Sequence, residues 1–495
     1  MNRTGFDNDK YIKLQSANIR RRIDEFGDKL YLEFGGKLFD DYHASRVLPG
    51  FAPDSKVNML LDLKDEVEIV IPINAAAIES NKTRGDLDIT YDMEVIRLID
   101  AFRSIGLYVG SVVVTQYNGQ PTADAFIKRL DALGIRNYKH YTIDGYPNDV
   151  AKIVSDEGYG KNDYIETSRR LVVITAPGPG SGKMATCLSQ LYHEHKHGVA
   201  AGYAKFETFP IWNLPLKHPV NLAYEAATAD LNDVNMIDPF HLQAYGVPTV
   251  NYNRDVEIFP VLKDIFTKIF GSCPYQSPTD MGVNMVGNCI SDDAACCDAS
   301  KQEIVRRYYA SLCLAKQGLE SMEPVRKIEL LMKQAGITSE CRPVIAAANQ
   351  LAEEIGEPAA AIELPDGTII TGKNGDSLGA ASATLVNALK KLCGLPKNLH
   401  LIASEVIEPV QKLKVEHLGN SNPRLHTDEV LLALAVCAVN DPNAAMALNC
   451  LTQLKGCEAH SSVILGEVDS STLRKLGLNL TCEPKYQNNK LLYHK

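Results

Sequence analysis

At 495 residues the chain is too long for one compact core, and domain-size scaling gives about three units. Its 45% hydrophobic and 23% charged residues describe an ordinary globular protein. The net charge of −10 argues against duplex nucleic acid as a partner, which requires concentrated Lys and Arg.

The first fifteen residues are polar, and no stretch approaches the ~20 apolar residues of a membrane span, so neither a secretory leader nor a membrane partner is expected. The 12 cysteines are scattered without paired spacing, which suits a reducing cytoplasm. Vicinal Cys296 and Cys297 read as two small thiols in a helical stretch rather than a redox pair. A homo-oligomer is compatible with this composition.

An amphipathic helix near residues 9–27 leads to a strand at 29–34 and then Gly35-Gly36-Lys37. A second apolar run, Val67 to Ile71, is closed by Pro72 and followed by a polar loop around 79–90. Helix 93–105, strand 107–115, helix 122–134, a short strand near 139–143 and strand 170–176 come next. The last enters a glycine-rich turn, a helix ends near Gly198, and 203–208 form another strand. Such alternation predicts an α/β fold with a mainly parallel, doubly wound sheet, Rossmann-like or P-loop-like, whose ligands lie beyond the strands' carboxyl ends.

Residues 209–300 carry polar loop signals with Trp212, Tyr224, Phe240 and Tyr252 interleaved, which suggests an ordered surface facing a substrate. Helices at 301–317 and 324–335 precede a boundary near Ile337–Pro343. Beyond it, Pro365-Asp366-Gly367 marks a hairpin within 361–371. Helix 377–392, strand 399–402, helices 427–440 and 443–455, strand 461–465, helix 470–476 and strand 478–482 complete a smaller α+β domain. The expected units are 1–165, 166–336 with a P-loop-like character, and 337–495.

Residues 171–186 point most directly to a chemistry. A β-branched run ends in Thr-Ala-Pro-Gly-Pro-Gly-Ser-Gly-Lys (175–183), and a helical pattern follows at once. This order cradles a phosphate: loop N–H groups and the helix N-terminus face the anion, and Lys183 reaches the outer phosphates. Gly178, Gly180, Ser181, Gly182, Lys183 and Thr186 are the binding candidates, with Gly35 and Gly36 from the other glycine loop. Pro177 stands where the first glycine is usual, and Met184 replaces the hydroxyl that binds magnesium; a thioether is too soft for that ion. Ser181 and Thr186 are the nearby substitutes. The loop is similar to that of adenylate-kinase-like enzymes over about ten residues.

The same helix ends His193-Glu194-His195-Lys196-His197, which fits His-Glu-x-x-His, the zinc-peptidase pattern. Met184, Leu188 and Leu191 mark the buried stripe, placing His193 and His197 on the opposite face, and Gly198 ends the helix. A solvated C-terminal turn is therefore expected instead of a zinc site, and no metal ligand is assigned. Catalytic candidates are Lys183 with Glu207, Asp230 and Asp238; the acids would hold magnesium or take a proton from a hydroxyl. Cys457 and His460 are too close in sequence to make a nucleophile and its base.

Leu-Glu-Phe-Gly-Gly-Lys (32–37), His-Ala-Ser-Arg-Val-Leu-Pro-Gly (43–50), the glycine loop and Ser-Pro-Thr-Asp-Met-Gly-Val-Asn (277–284) resemble a family of uncharacterised bacterial proteins. Asn-Pro-Arg-Leu-His (422–426) and Cys-Glu-Ala-His-Ser (457–461) extend the likeness across the chain. The resemblance implies a bacterial cytoplasmic protein of the domain-of-unknown-function (UPF) class, some relatives carrying the label ATP-dependent zinc protease. It brings no established reaction or catalytic residue.

The residues themselves lead to an expectation of nucleotide or phosphate binding, with ATP and magnesium as the cofactor candidates. An ATP-dependent phosphotransferase or ligase acting on a small metabolite would follow, with loops 35–46, 207–241 and 251–282 shaping its second substrate. A sensor of a phosphorylated small molecule and a zinc hydrolase are the alternatives.

Overall fold

Apolar, largely β-branched runs become the inner strands of one sheet. β1 (Lys29–Phe34), β2 (Val67–Asn74), β3 (Tyr108–Tyr117), β4 (Asn137–Tyr141), β5 (Leu171–Ile174) and β6 (Ala201–Phe206) are all parallel, in the order β4-β3-β2-β5-β1-β6. The computed structural model describes residues 3–36, 38–39, 41–84 and 89–487. Lys37, in the first glycine loop, lies outside them, as does part of the polar loop expected at 79–90.

Strands buried on both faces explain the largely apolar runs. Val172 and Ile174 of β5 join a core with Cys187, Leu188 and Leu191 from helix Lys183–Lys196 and Phe259, Leu262 and Phe266 from helix Asn253–Phe270. Leu171 and Val173, which point the other way, are buried as well. Helices therefore cover the sheet on both sides, as a parallel sheet requires.

The expected boundary at 165–166 does not exist. β5 hydrogen-bonds to β1 on one side and β2 on the other, so residues on both sides of that position build one sheet. One compact body comprises Thr4–Tyr224 and Asp233–Cys297; the other comprises Arg3, Glu225–Asn232 and the described chain from Asp298. The stretch expected as loop at 251–282 is largely helix Asn253–Phe270, with Pro260 inside it. Ahead of that helix, β7 (Asn235–Ile237) and β8 (Val250–Tyr252) form an antiparallel ribbon.

In the second body, β9 (Ala359–Glu363), β10 (Ile369–Lys373), β11 (Glu458–Ser461) and β12 (Asn479–Cys482) form a mixed sheet in the order β10-β9-β11-β12. β9 and β10 are the expected hairpin, with Gly367 at φ +82° in its turn. Residues 399–402 form no strand; Leu401 and Ile402 pack into the local core as irregular chain. Among the described residues, no helix is long and apolar enough to cross a membrane.

Candidate functional site

The ends of β1, β5 and β6 converge where a parallel sheet collects its ligands. The loop after β5 is held by its carbonyls. Asn74 Nδ2, at the tip of β2, donates to Gly180 O (3.2 Å), and Thr115 Oγ1 of β3 donates to Ser181 O (2.9 Å). Ser181 Oγ donates to Gly178 O (2.9 Å). The N–H groups from Gly178 to Ala185, Pro179 aside, donate to no acceptor among the described residues. Fixed carbonyls and open amides are the arrangement of an anion-accepting nest at a helix N-terminus.

Glycine is needed here for two separate reasons. Gly180 and Gly182 adopt φ of +78° and +87°, which bends the loop toward the helix. A Cβ at Gly178 would come 2.2 Å from Tyr91 Oη, so packing alone demands a glycine there. Lys183 begins the helix half-buried and makes no ion pair or side-chain hydrogen bond among the described residues.

The expected magnesium substitutes are not presented to a ligand. Ser181 is 1% exposed with its hydroxyl engaged inside the loop, and Thr186 is fully buried in the helix. Strand ends supply the next elements. Because β5 and β6 flank β1, their tips stand about 10 Å apart. Lys205 and Glu207 alternate onto one face at the end of β6.

Lys205 Nζ lies 2.6 Å from both oxygens of Asp255, 2.9 Å from Tyr252 Oη and 3.3 Å from Glu207 Oε1. Tyr252 Oη donates to Glu207 Oε2. Burial alone would lower the Lys205 pKa, but the Asp255 and Glu207 carboxylates outweigh it and hold the ammonium charged. Burial raises Glu207 to about 7; Lys205 opposes the shift and Asp255 adds to it. Glu33 of β1 is buried, accepts Tyr203 Oη (2.7 Å) and contributes to the shifts of both Lys205 and Glu207. Glu33 and Lys183 also both act on buried Cys187, whose thiol is pushed up chiefly by burial.

Gly35 makes this packing feasible. A Cβ there would stand 2.5 Å from Glu207 Cγ, so only glycine lets that side chain cross the end of β1. Gly36 has φ +70°, and Lys56 Nζ lies 3.4 Å from where its Cβ would be. Lys56 forms a buried 2.7 Å ion pair with Asp41; burial would raise the Asp41 pKa, but Lys56 outweighs it and the net shift is downward.

Beyond Glu207 a small, open cleft lies between the end of β6, the start of β8 and the 278–284 segment. Lys205, Glu207 and Asp255 form its charged part, with Phe209 and Trp212 as aromatic walls. Gly282 bridges to Lys205 alongside β6, and Val283 N donates to Lys205 O (3.1 Å).

The remaining acids fall elsewhere. Asp238 is buried and fully committed: Oδ1 caps helix Pro239–Tyr245 by accepting from Phe240 N and His241 N, and Oδ2 accepts from Thr279. Asp230 is exposed on a single 3₁₀ turn and belongs to the other body. Neither joins the glycine-loop cluster. Sequence reasoning placed Tyr252 on the substrate-facing surface but missed Asp255 and Glu33; for Glu33, a charged residue inside the apolar strand β1 was the available signal.

The His-Glu-x-x-His turn is solvated only in part. His193 is buried, not solvated, and burial lowers its pKa; His197 is exposed. Glu194 is wholly buried and accepts from Lys29 Nζ (2.9 Å), Tyr31 Oη (2.6 Å) and Tyr164 Oη (3.1 Å). A carboxylate so committed serves the core and has no access to a metal-bound water. In the second body, the Cys457 thiol is raised to about 11 by burial, and His460 Nδ1 pairs with Thr481 Oγ1 (2.8 Å).

Fold and site together define an α/β protein with a polar crevice at the carboxyl edge of a six-stranded parallel sheet, joined in sequence to a smaller domain with a mixed sheet. The glycine loop, the crevice and the whole first body lie within residues 4–336, which match "Domain of unknown function DUF1846, N-terminal"; residues 340–493 match the corresponding C-terminal domain. The chain belongs to this DUF1846 family. It is 58% identical over 491 residues to UPF0371 proteins of Streptococcus thermophilus (strain CNRZ 1066) and Streptococcus pneumoniae (strain JJA), covering 99% of this chain and 99% of each relative.

Proposed function

We propose that the protein binds the phosphate group of a small phosphorylated ligand, with ATP the first candidate, in the loop from Gly178 to Lys183. Glu207 then takes a proton from an acceptor group seated in the adjoining cleft. The observation that carries this reading is the loop's hydrogen bonding: its carbonyls are held by Asn74, Thr115 and Ser181, while its N–H groups donate to no acceptor among the described residues. Lys183 supplies a positive charge at the same point, without an ion pair among the described residues.

A carboxyl with a pKa near 7 is matched to proton transfer at neutral pH. Together with the phosphate cradle it supports group transfer from a phosphorylated donor to a small metabolite. A sensor without turnover is the second reading, favoured by Met184 and by the burial of Ser181 and Thr186, which withhold the hydroxyl that usually binds magnesium.

Calorimetric titration with inorganic phosphate and with ATP, each with and without magnesium, tests the cradle. Wild type binds, and Lys183→Ala weakens binding by about tenfold or more while leaving the melting temperature unchanged. Unaltered affinity in Lys183→Ala refutes the phosphate loop. Glu207→Gln separates the readings: an enzyme loses turnover and keeps affinity, whereas a sensor shows no turnover in either form.

A further inference from the structure

Helix Asp293–Lys316 opens with Asp-Ala-Ala-Cys-Cys. Asp293 and Cys297 are four residues apart and face the same side, one turn above the other. The two vicinal thiols have separate environments. Cys296 points inward, fully buried, and donates to Gly5 O (3.3 Å), whereas Cys297 faces His218, the residue just before helix Pro219–Ala227.

His218 Nε2 stands 2.9 Å from Asp293 Oδ1 and 3.5 Å from Cys297 Sγ, and Cys297 Sγ is 3.7 Å from Asp293 Oδ2. A carboxylate and a thiol are thus directed at one ring nitrogen. We propose that His218, Asp293 and Cys297 form a binding site for a borderline-soft divalent cation of the zinc or cobalt(II) kind, independent of the phosphate loop.

The spacing fits such an ion. Around a tetrahedral centre with bonds of about 2.0–2.3 Å, ligand atoms lie roughly 3.3–3.8 Å apart. The two sulfur separations, 3.5 and 3.7 Å, already have that value. The carboxylate meets the sulfur through Oδ2 and the ring nitrogen through Oδ1; the latter contact, a 2.9 Å hydrogen bond, is the one that a cation held by a single carboxylate oxygen would replace. Imidazole and thiolate select this class of ion over magnesium or calcium, which require oxygen. Three protein ligands leave a fourth position for water, on the side of Asp293, whose side chain is 62% exposed.

Proton balance is simple. The Cys297 thiol releases one proton to solvent as it becomes a thiolate, and the His218 proton moves from Nε2 to Nδ1. The dipositive ion and its two anionic ligands then sum to zero charge. His218 Nδ1 now accepts from Val220 N over 3.3 Å; this long contact is given up for a metal–nitrogen bond.

Cobalt(II) titrated into the metal-stripped full-length protein tests the site. The expected result is one equivalent bound, a thiolate-to-cobalt absorption band and release of one proton. Cys297→Ser abolishes the band and weakens binding by about tenfold or more. Asp293→Asn, a mild change at an exposed position, weakens binding but keeps the band, and His197→Ala changes nothing. Absence of a stoichiometric band in wild type overturns the proposal, as does its survival in Cys297→Ser at unchanged fold by circular dichroism. Loss of the band in His197→Ala would place the ion on the other histidine cluster and overturns it equally.

Discussion

Replacing Glu207 with Gln gives opposite results for a group held near neutrality by burial and for an ordinary ion-pair carboxylate. Burial, aided by Asp255 and opposed by Lys205, lifts its pKa from 4.5 to about 7. Between those values the folded state binds more protons than the unfolded one. The stabilising contribution of Glu207 is therefore complete below about pH 4.5 and is lost as pH rises through 7. At ~1.4 kcal/mol per pKa unit, ionised Glu207 costs at most roughly 3 kcal/mol above neutrality. Gln preserves the size but loses the attraction to Lys205, and the side chain is a quarter exposed, so a net gain of about 1 kcal/mol is expected at pH 8. For a body this large that is about 2 °C in melting temperature. Heat and urea unfolding of both proteins at pH 5 and pH 8 measures it. Stabilisation confined to pH 8, with a flatter pH profile, is the expected outcome. Equal destabilisation at both pH values would refute the reasoning, because Glu207 would then be an ionised structural partner of Lys205.

Two other substitutions probe the loop and the histidine turn. Gly182→Ala forces a left-handed residue at φ +87° and brings a Cβ within 2.9 Å of Thr115 Oγ1; about 1–2 kcal/mol of strain and weaker phosphate binding are expected from melting and calorimetry. Glu194→Ala leaves Lys29 and two tyrosines facing an empty buried position. A loss of about 3–5 kcal/mol with unchanged metal content is expected, and a fully stable variant that had lost only hydrolytic activity would restore the zinc-hydrolase reading.

The sheet was readable in the chain because strands buried on both faces leave long apolar runs such as Val67–Ile73. The glycine loop was readable too, since strand, turn and helix are contiguous. Helix Asn253–Phe270 was obscured by Asn-Arg-Asp at its start and by Pro260, although Val256, Phe259, Leu262, Phe266 and Ile269 keep helical spacing along its buried side. Asp255, the closest partner of Lys205, escaped sequence reading for another reason. Asp255 is 50 positions away and arrives through a ribbon and a helix start whose docking no local pattern encodes. His193 was misplaced because three apolar residues understated the width of the helix's buried side, which also takes in Gln190, Tyr192 and Glu194.

The position of β5 bears on how the molecule is made. β1 and β2 never touch as neighbours; the strand that joins them is Leu171–Ile174, reached only after four other sheet strands have left the ribosome. A nascent chain ending before it holds β2, β3 and β4 as one ribbon and β1 as an orphan, with both β1 and β2 presenting open edges. Closure waits for a pairing between Leu30 and Leu171, 141 residues apart, and such long-range closure is slow and open to misassociation. The same short strand that launches the glycine loop is the keystone without which the two halves of the sheet have no shared edge.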